Sequence, residues 1–179
     1  MSLKQIIKKS EKIKIIATDV DGVLTEGYVF IRDNHEEPFG KFNILDGLAI
    51  KLAHAGGLRV VVVSGRKSLA TEARCQKLGI DLTYTGVSDK QLKLREIAEE
   101  TGVLPDEIAY VGDDLIDLPA MVIAGFTCAP ANAVHEVKRH VDYVSPVFGG
   151  NGVLRDVVEL ILKAQNKYQA IVAEYLQIK

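Results

Sequence analysis

The sequence predicts an α/β fold built on a doubly wound parallel sheet. Short runs of β-branched residues alternate with amphipathic stretches along the chain. The run "VVVV" at 60–63 is too short for a helix and lies between Gly57 and Gly65. Strands that are apolar throughout, alternating with helices, indicate a sheet that is covered on both faces. The 179 residues, 47% of them apolar, suit one domain over 1–179 with a full core.

The elements follow one another in a regular order. Glycines mark several helix ends, such as Gly79 and Gly102, because glycine readily adopts the left-handed conformation found there. The apolar spacing of the tail at 164–179 predicts that the last helix continues. Strands are predicted at 12–18, 58–65, 81–86, 107–114, 125–130 and 141–145, and helices at 46–55, 68–78, 89–101, 115–124, 133–139 and 152–165.

Residues 25–45 break this alternation and predict a β-hairpin excursion. The stretch has no helical pattern and holds Phe30, Phe39 and Phe42, three of the five phenylalanines. An isolated hairpin is marginally stable in water, so this aromatic surface needs a cover. Either the excursion folds back on its own domain or it meets another subunit. The second is favoured, because the chain has no other segment to spare as a cover.

Composition narrows the classes of function. The net charge of −2, without a long block of one sign, argues against nucleic acid or an anionic membrane as the main partner. Cys75 and Cys128 form neither a metal-type pair nor a disulfide framework. The first residues are too polar for a signal peptide, and no apolar run reaches membrane-spanning length. A cytoplasmic enzyme or binding protein is therefore expected.

Polar residues collect where the predicted strands end. In an open parallel sheet, ligands bind at the carboxyl ends of the strands. Any one polar residue there is more often an ordinary loop residue, but so many on three or four strands indicate a site. The residues placed at that edge are Asp19, Asp21, Ser64, Gly65, Arg66, Lys90, Gly112, Asp113, Asp114 and Asp117.

The chemistry that these residues fit is phosphoryl transfer. The Asp19 carboxylate can attack phosphorus and form an aspartyl-phosphate. Asp21 can protonate the leaving oxygen and then deprotonate the attacking water. Ser64 and the N–H groups after it can donate to phosphate oxygens, while Lys90 supplies positive charge.

The donor set also predicts a metal. Hard oxygen ligands without histidine or cysteine nearby favour Mg²⁺, with the side chains of Asp19 and Asp113 and the backbone carbonyl of Asp21 as ligands. An EF-hand calcium loop is excluded, because Val23 and Leu24 stand where that loop needs Asp or Asn and then Gly.

Four motifs follow one another along the chain: "DVDGVLT", "VVVSGR", Lys90 in "SDKQ", and "GDDLIDLP". Together they resemble the haloacid dehalogenase superfamily of phosphatases. The chain resembles the short form of that superfamily, which has a Rossmann-type fold and no separate cap domain. Five further stretches are similar to the 3-deoxy-D-manno-octulosonate 8-phosphate phosphatases and their sialic-acid-related relatives. They are "DGVLTEG", "KFNILDGLAIK", "SGRKS", "ARCQKLGI" and "GGNGVLRDVVELILKAQ".

This resemblance implies a cytoplasmic, Mg²⁺-dependent homotetramer that acts in lipopolysaccharide sugar synthesis. It also implies that the hairpin supports assembly and that neighbouring subunits cover the otherwise open site. Carried over by motif, the substrate pocket would be lined by Asp21, Asn43, Asp46, Gly47, Lys51, Arg66, Arg74 and Lys90.

Two departures from the family pattern leave the exact substrate open. Leu45 and Asn151 stand where many relatives carry a basic residue that could contact a sugar acid. A nine-carbon, sialic-acid-type sugar phosphate is therefore the alternative substrate, although Arg66 favours the eight-carbon one. From another class, a noncatalytic phosphoacceptor module of the receiver type also uses a doubly wound sheet, an acidic cluster and a lysine. The pair Asp19 and Asp21 is not expected in such a module.

Overall fold

The fold is described from a computed structural model, which places residues 1–33 and 39–177. Its sheet has six strands in the order β3-β2-β1-β4-β5-β6, and every neighbouring pair is parallel. β1 lies in the middle of the sheet, between β2 and β4, so the predicted fold class is confirmed. The strands are β1 (Ile15–Thr18), β2 (Arg59–Val63), β3 (Leu82–Tyr84), β4 (Ile108–Val111), β5 (Phe126–Ala129) and β6 (Tyr143–Val144).

The helices cover both faces of the sheet. Six predicted helices are present, and the one over 115–124 begins as a 3-10 turn at Leu115–Asp117. One helix, α1, was not predicted; Ser2 and Gln5 form a reciprocal capping box at its start. The helices are α1 (Leu3–Ser10), α2 (Ile44–Ala55), α3 (Leu69–Leu78), α4 (Lys90–Thr101), α5 (Leu118–Ile123), α6 (His135–His140), α7 (Val153–Ala164) and α8 (Tyr168–Tyr175).

The run of valines in β2 is divided between two cores. Val60 and Val62 pack in the cluster that includes residues of α2 and α7. Val61 and Val63 pack in the opposite cluster, which includes residues of α4 and α5. Side chains alternate across a strand, so a strand buried on both faces needs an apolar residue at every position.

The excursion over 25–45 differs from the predicted hairpin. No strand is present at 25–33 or 39–43. The predicted turn, "RDNHEEPFG" at 32–40, lies at its positions 34–38 outside the described residues. The two arms still meet, because the rings of Phe30 and Phe39 stack with centroids 4.9 Å apart. Both rings remain substantially exposed. Two strands without a neighbouring sheet gain little from pairing, which accounts for the irregular backbone of the arms. The described residues include no separate cap domain.

The tail also differs from the prediction of one continuous helix. Asn166 has φ +57°, which ends α7 and lets the chain turn into α8. The Lys167 ammonium donates to the Gly56 carbonyl at 2.7 Å, and Ile171 of α8 is buried on the core. The helix is interrupted at this turn, and the interruption allows the Ile171 side chain to be buried. No helix among the described residues has the length and apolar character needed to cross a membrane.

Candidate active site

A cleft of about 510 Å³ opens at the carboxyl ends of β1, β2 and β4. Asp19 follows β1 directly, and Asp113 comes two residues after β4, as expected for adjacent parallel strands. The structure therefore brings together seven of the ten residues that the sequence placed at this edge, because the ends of parallel strands meet there. The lining residues are Asp19, Asp21, Gly22, Gly27, Gly65, Arg66, Val87, Ser88, Lys90, Asp113, Asp114 and Ile116.

A buried lysine joins two acids at the bottom of this cleft. Lys90 begins α4, and its ammonium lies 3.0 Å from Asp19 Oδ2 and 2.7 Å from Asp117 Oδ1. Its side chain is only 2% exposed. Burial alone would lower the pKa of Lys90, but the charges of Asp19 and Asp117 outweigh it and the net shift is upward. Lys90 is therefore a fixed positive charge beside Asp19.

The negative charges of the acidic residues in the cleft outnumber the positive charge of Lys90. Oxygens of Asp19, Asp113 and Asp117 lie within 4.8 Å of one another. Burial, reinforced by the charge of Asp117, raises the pKa of Asp19 to about 7. Burial, reinforced by the charge of Asp19, raises the pKa of Asp113 to about 7 as well. Three carboxylates against one ammonium make an oxygen-only cluster that a divalent cation would relieve, and this fits Mg²⁺.

A glycine makes room for this cluster. Gly22 has φ +83°, and a Cβ built at this position would lie 2.0 Å from Asp113 Oδ2. A side chain at 22 would push the Asp113 carboxylate away from Asp19. The glycine in "DVDG" is thus required for the close approach of two loops, as well as for the backbone conformation.

Asp21 lies at the mouth of the cleft and is bound by Arg66. The guanidinium donates from Nε to Asp21 Oδ2 at 2.9 Å and from Nη2 to Oδ1 at 2.6 Å. This two-pronged geometry orients the Asp21 carboxylate. Ser64 is 2% exposed, and its hydroxyl accepts a bond from the Arg66 backbone N–H at 3.2 Å. Ser64 therefore shapes the turn after β2 and is not among the residues that line the cleft.

Other residues that the resemblance placed in the substrate pocket lie apart from the cleft. Asn43, Asp46, Gly47 and Arg74 line a separate small pocket between α2 and α3. Arg74 donates to the Asn43 carbonyl at 3.3 Å, and Lys51 is exposed on α2. One chain by itself does not bring this group to Asp19, so their role in binding substrate stays a prediction.

Asp46 connects α2 with the glycine-rich loop before α7. Its Oδ1 accepts a bond from the Arg155 N–H at 3.1 Å, while Asn43 donates to the Gly150 carbonyl at 3.0 Å. Asp46 is 4% exposed, and burial raises its pKa to about 6. In this structure the group around Asp46 holds the start of α7 against the start of α2.

Sequence reasoning assigned no role to two residues of this site. Asp117 stood among the acids at the strand ends, and its position four residues after Asp113 was a usable signal. Tyr110 lies in β4, and its hydroxyl donates to Asp117 Oδ1 at 2.9 Å. No pattern in the sequence distinguishes Tyr110 from an ordinary apolar strand residue.

Comparisons with known proteins agree with this geometry. A family model of haloacid dehalogenase-like hydrolases matches residues 84–156. The 3-deoxy-D-manno-octulosonate 8-phosphate phosphatase of Escherichia coli (strain K12) is 40% identical over 162 residues, covering 90% of this chain and 86% of that protein.

Solved structures give the same result. The enzyme of this type from Moraxella catarrhalis, in complex with magnesium ion, phosphate ion and a KDO molecule, matches with a TM-score of 0.93 at 34% identity, covering 97% of this chain and 99% of that one. The cobalt-bound enzyme of Haemophilus influenzae matches with a TM-score of 0.90 at 37% identity, covering 96% and 99%. The chain belongs to the haloacid dehalogenase-like hydrolases and, within them, to the family of 3-deoxy-D-manno-octulosonate 8-phosphate phosphatases.

Proposed function

We propose that this protein hydrolyses 3-deoxy-D-manno-octulosonate 8-phosphate to the free sugar acid and inorganic phosphate. The observation that carries the proposal is the contact of Lys90 with Asp19 at the bottom of an acid-lined cleft. A carboxylate beside a fixed ammonium, among other acids that suit Mg²⁺, is what a phosphate-attacking nucleophile requires. The Moraxella catarrhalis enzyme, which has the same fold, binds magnesium, phosphate and KDO.

In the first step, an oxygen of the Asp19 carboxylate attacks phosphorus. The bond between phosphorus and the sugar oxygen breaks, and that oxygen takes a proton from Asp21. Both Asp21 oxygens are bound to Arg66 in this structure. These bonds occupy one lone-pair position on each oxygen, so Asp21 keeps a free position for the proton that it transfers.

In the second step, water attacks the phosphorus of the aspartyl-phosphate. Asp21 takes the proton of that water, the bond between phosphorus and Asp19 breaks, and inorganic phosphate leaves. The charges of Asp19 and Asp117 raise the pKa of Lys90 before the first step, and the contact with Asp117 remains when Asp19 is esterified. The backbone N–H of Gly65, which follows Ser64 and lines the cleft, would donate to a phosphate oxygen.

Mg²⁺ would be held by the side chains of Asp19 and Asp113 and by the backbone carbonyl of Asp21. When bound, it offsets the repulsion between the carboxylate and the phosphate. This assignment is supported by the cluster of acid oxygens within 4.8 Å.

We also propose that the chain works in the cytoplasm as a homotetramer, as the family resemblance implies. The exposed rings of Phe30 and Phe39 support an interface at the excursion, because exposed aromatic surface of this kind favours a protein partner. Light scattering of the purified protein tests the subunit count. A fully active monomer contradicts the shared site.

The test of the activity is release of phosphate from a panel of sugar phosphates with Mg²⁺. We expect turnover of the eight-carbon substrate in preference to nine-carbon ones. Asp19→Asn should lose turnover by at least about a thousandfold while its circular dichroism is unchanged. Asp106→Asn, which changes an exposed acid near the amino end of β4, is the matched control.

Each failure has a separate meaning. If the folded wild-type protein hydrolyses no member of the panel, the enzyme proposal is wrong. Turnover of nine-carbon substrates alone rejects only the specificity. Phosphorylation of Asp19 without release of phosphate would support a phosphoacceptor module.

A further inference from the structure

The Asp117 carboxylate belongs to the acidic cluster, but all of its acceptor positions are used by hydrogen bonds. Its side chain is 0% exposed. Oδ1 accepts bonds from the Lys90 ammonium at 2.7 Å and the Tyr110 hydroxyl at 2.9 Å. Oδ2 accepts bonds from the backbone N–H groups of Asp113 at 3.0 Å and Asp114 at 3.2 Å. A carboxylate offers about four lone-pair positions, so no position is left for a metal ion.

Tyr110 is the one neutral side chain among these four donors. It lies in β4 and is 0% exposed, in a strand that is otherwise buried apolar sequence. Burying a hydroxyl is costly unless it is hydrogen-bonded, and its bond here goes to Asp117. Burial and the charge of Asp117 hold the pKa of Tyr110 well above its usual value, so the hydroxyl remains a donor.

The Tyr110 bond acts on the nucleophile through two contacts. The oxygen that accepts from Tyr110 is the oxygen that binds Lys90, and Lys90 in turn lies 3.0 Å from Asp19. If the hydroxyl is removed, Asp117 Oδ1 regains a free lone pair, and a carboxylate oxygen of Asp117 lies within 4.8 Å of oxygens of Asp19 and Asp113. The carboxylate can then bind the cation and leave Lys90.

We propose that Tyr110 is a positioning residue for the reaction. Its hydroxyl saturates Asp117, keeps this carboxylate bonded to Lys90, and so reserves the metal for Asp19 and Asp113. The inference rests on the proposed phosphatase function for its kinetic part. Its metal-binding part stands on the described contacts alone.

The test compares Tyr110→Phe with wild type and with Tyr143→Phe. Tyr143 is a suitable control, since its hydroxyl also donates to a carboxylate, Asp156, at 2.8 Å, but away from the cleft. For Tyr110→Phe we expect kcat to fall by at least about tenfold, the lower end of the effect of losing one hydrogen bond to a charged group, with KM within about twofold. Titration calorimetry of metal-free protein should show about threefold tighter Mg²⁺ binding, because a carboxylate that loses a donor gains from a cation. Tyr143→Phe should match wild type in kcat, KM and Mg²⁺ affinity.

Slower turnover together with tighter metal binding is a result that general destabilisation cannot produce. The inference is overturned if Tyr110→Phe matches wild type, or if kcat and Mg²⁺ affinity fall together. If this variant does not fold, a crystal structure of the wild-type protein with Mg²⁺ decides. An Asp117 oxygen at the usual Mg²⁺ ligand distance of about 2.1 Å overturns the inference, and an intact Tyr110–Asp117 bond with no such ligation supports it. If the wild-type protein has no activity, the proposed function is refuted. The calorimetric and crystallographic measurements still test the role of Tyr110 in that case.

Discussion

Replacing Asp46 by asparagine should stabilise the protein at neutral pH and not in mild acid. Asp46 is 4% exposed, and only its Oδ1 is hydrogen-bonded, to the Arg155 N–H. Oδ2 has no partner among the described residues. Burial raises the pKa of Asp46 from 3.8 to about 6, so the folded protein resists the charged form.

The magnitude follows from this shift. A change of roughly two pKa units corresponds to about 3 kcal/mol. Because the folded pKa lies above the unfolded one, the contribution of protonated Asp46 is complete below pH 3.8 and is lost as the pH rises through about 6. Asparagine keeps the Oδ1 acceptor and carries no charge, but its buried NH₂ lacks an acceptor, which costs about 1 kcal/mol. The free energy of unfolding of Asp46→Asn should therefore exceed that of wild type by about 2 kcal/mol at pH 7.5 and by about 0 at pH 4.5.

Urea unfolding followed by circular dichroism at both pH values measures this difference. Subtracting wild type at each pH cancels the titration of other groups. Asp106→Asn, at an exposed acid, controls for the loss of one negative charge. The reasoning is refuted if Asp46→Asn is less stable than wild type at pH 7.5, or if the difference is the same at both pH values.

Three further predictions concern the cleft and the loop that packs against Gly22. Arg66→Lys should lower kcat/KM about tenfold in steady-state kinetics, because lysine cannot reproduce the two-pronged contact with Asp21; wild-type kinetics would contradict this. Gly149→Ala should lower the free energy of unfolding by about 2–3 kcal/mol in a urea titration, since its Cβ would lie 1.8 Å from the Gly22 carbonyl oxygen; an unchanged midpoint would show that the loops move apart freely. Chelation with EDTA should abolish phosphate release, and added Mg²⁺ should restore it; full activity in EDTA would exclude a metal-dependent reaction.

The acidic residues of the cleft could be predicted from sequence because they follow strands directly. Neighbouring parallel strands have their carboxyl ends at the same edge of the sheet. Because β1 and β4 are parallel neighbours, Asp19 and Asp113, which follow them, lie close together. Contacts between distant side chains have no such rule. The bond from Arg155 to Asp46 joins residues 109 positions apart, and nothing local marks either partner.

Local sequence patterns indicate helix starts correctly, but they are misleading where tertiary packing favours a different backbone conformation. Ser2 and Gln5 had the spacing of a capping box, so α1 was predictable and was missed. In the tail, apolar spacing continued past Asn166, but Ile171 reaches the core only if the helix breaks there. In the excursion, apolar runs suggested strands, but none of its described residues pairs with a strand of the sheet.

The central position of β1 in the sheet affects how the chain folds during synthesis. Its backbone pairs on one side with β4, where Ile15 stands opposite Ile108. Because of this separation, more than half of the chain must leave the ribosome before that edge of β1 is protected, and contacts so far apart in sequence form slowly. Until then the strand that precedes Asp19 remains open to pairing with other nascent chains. Shortened translation products that stop before β4 should therefore aggregate.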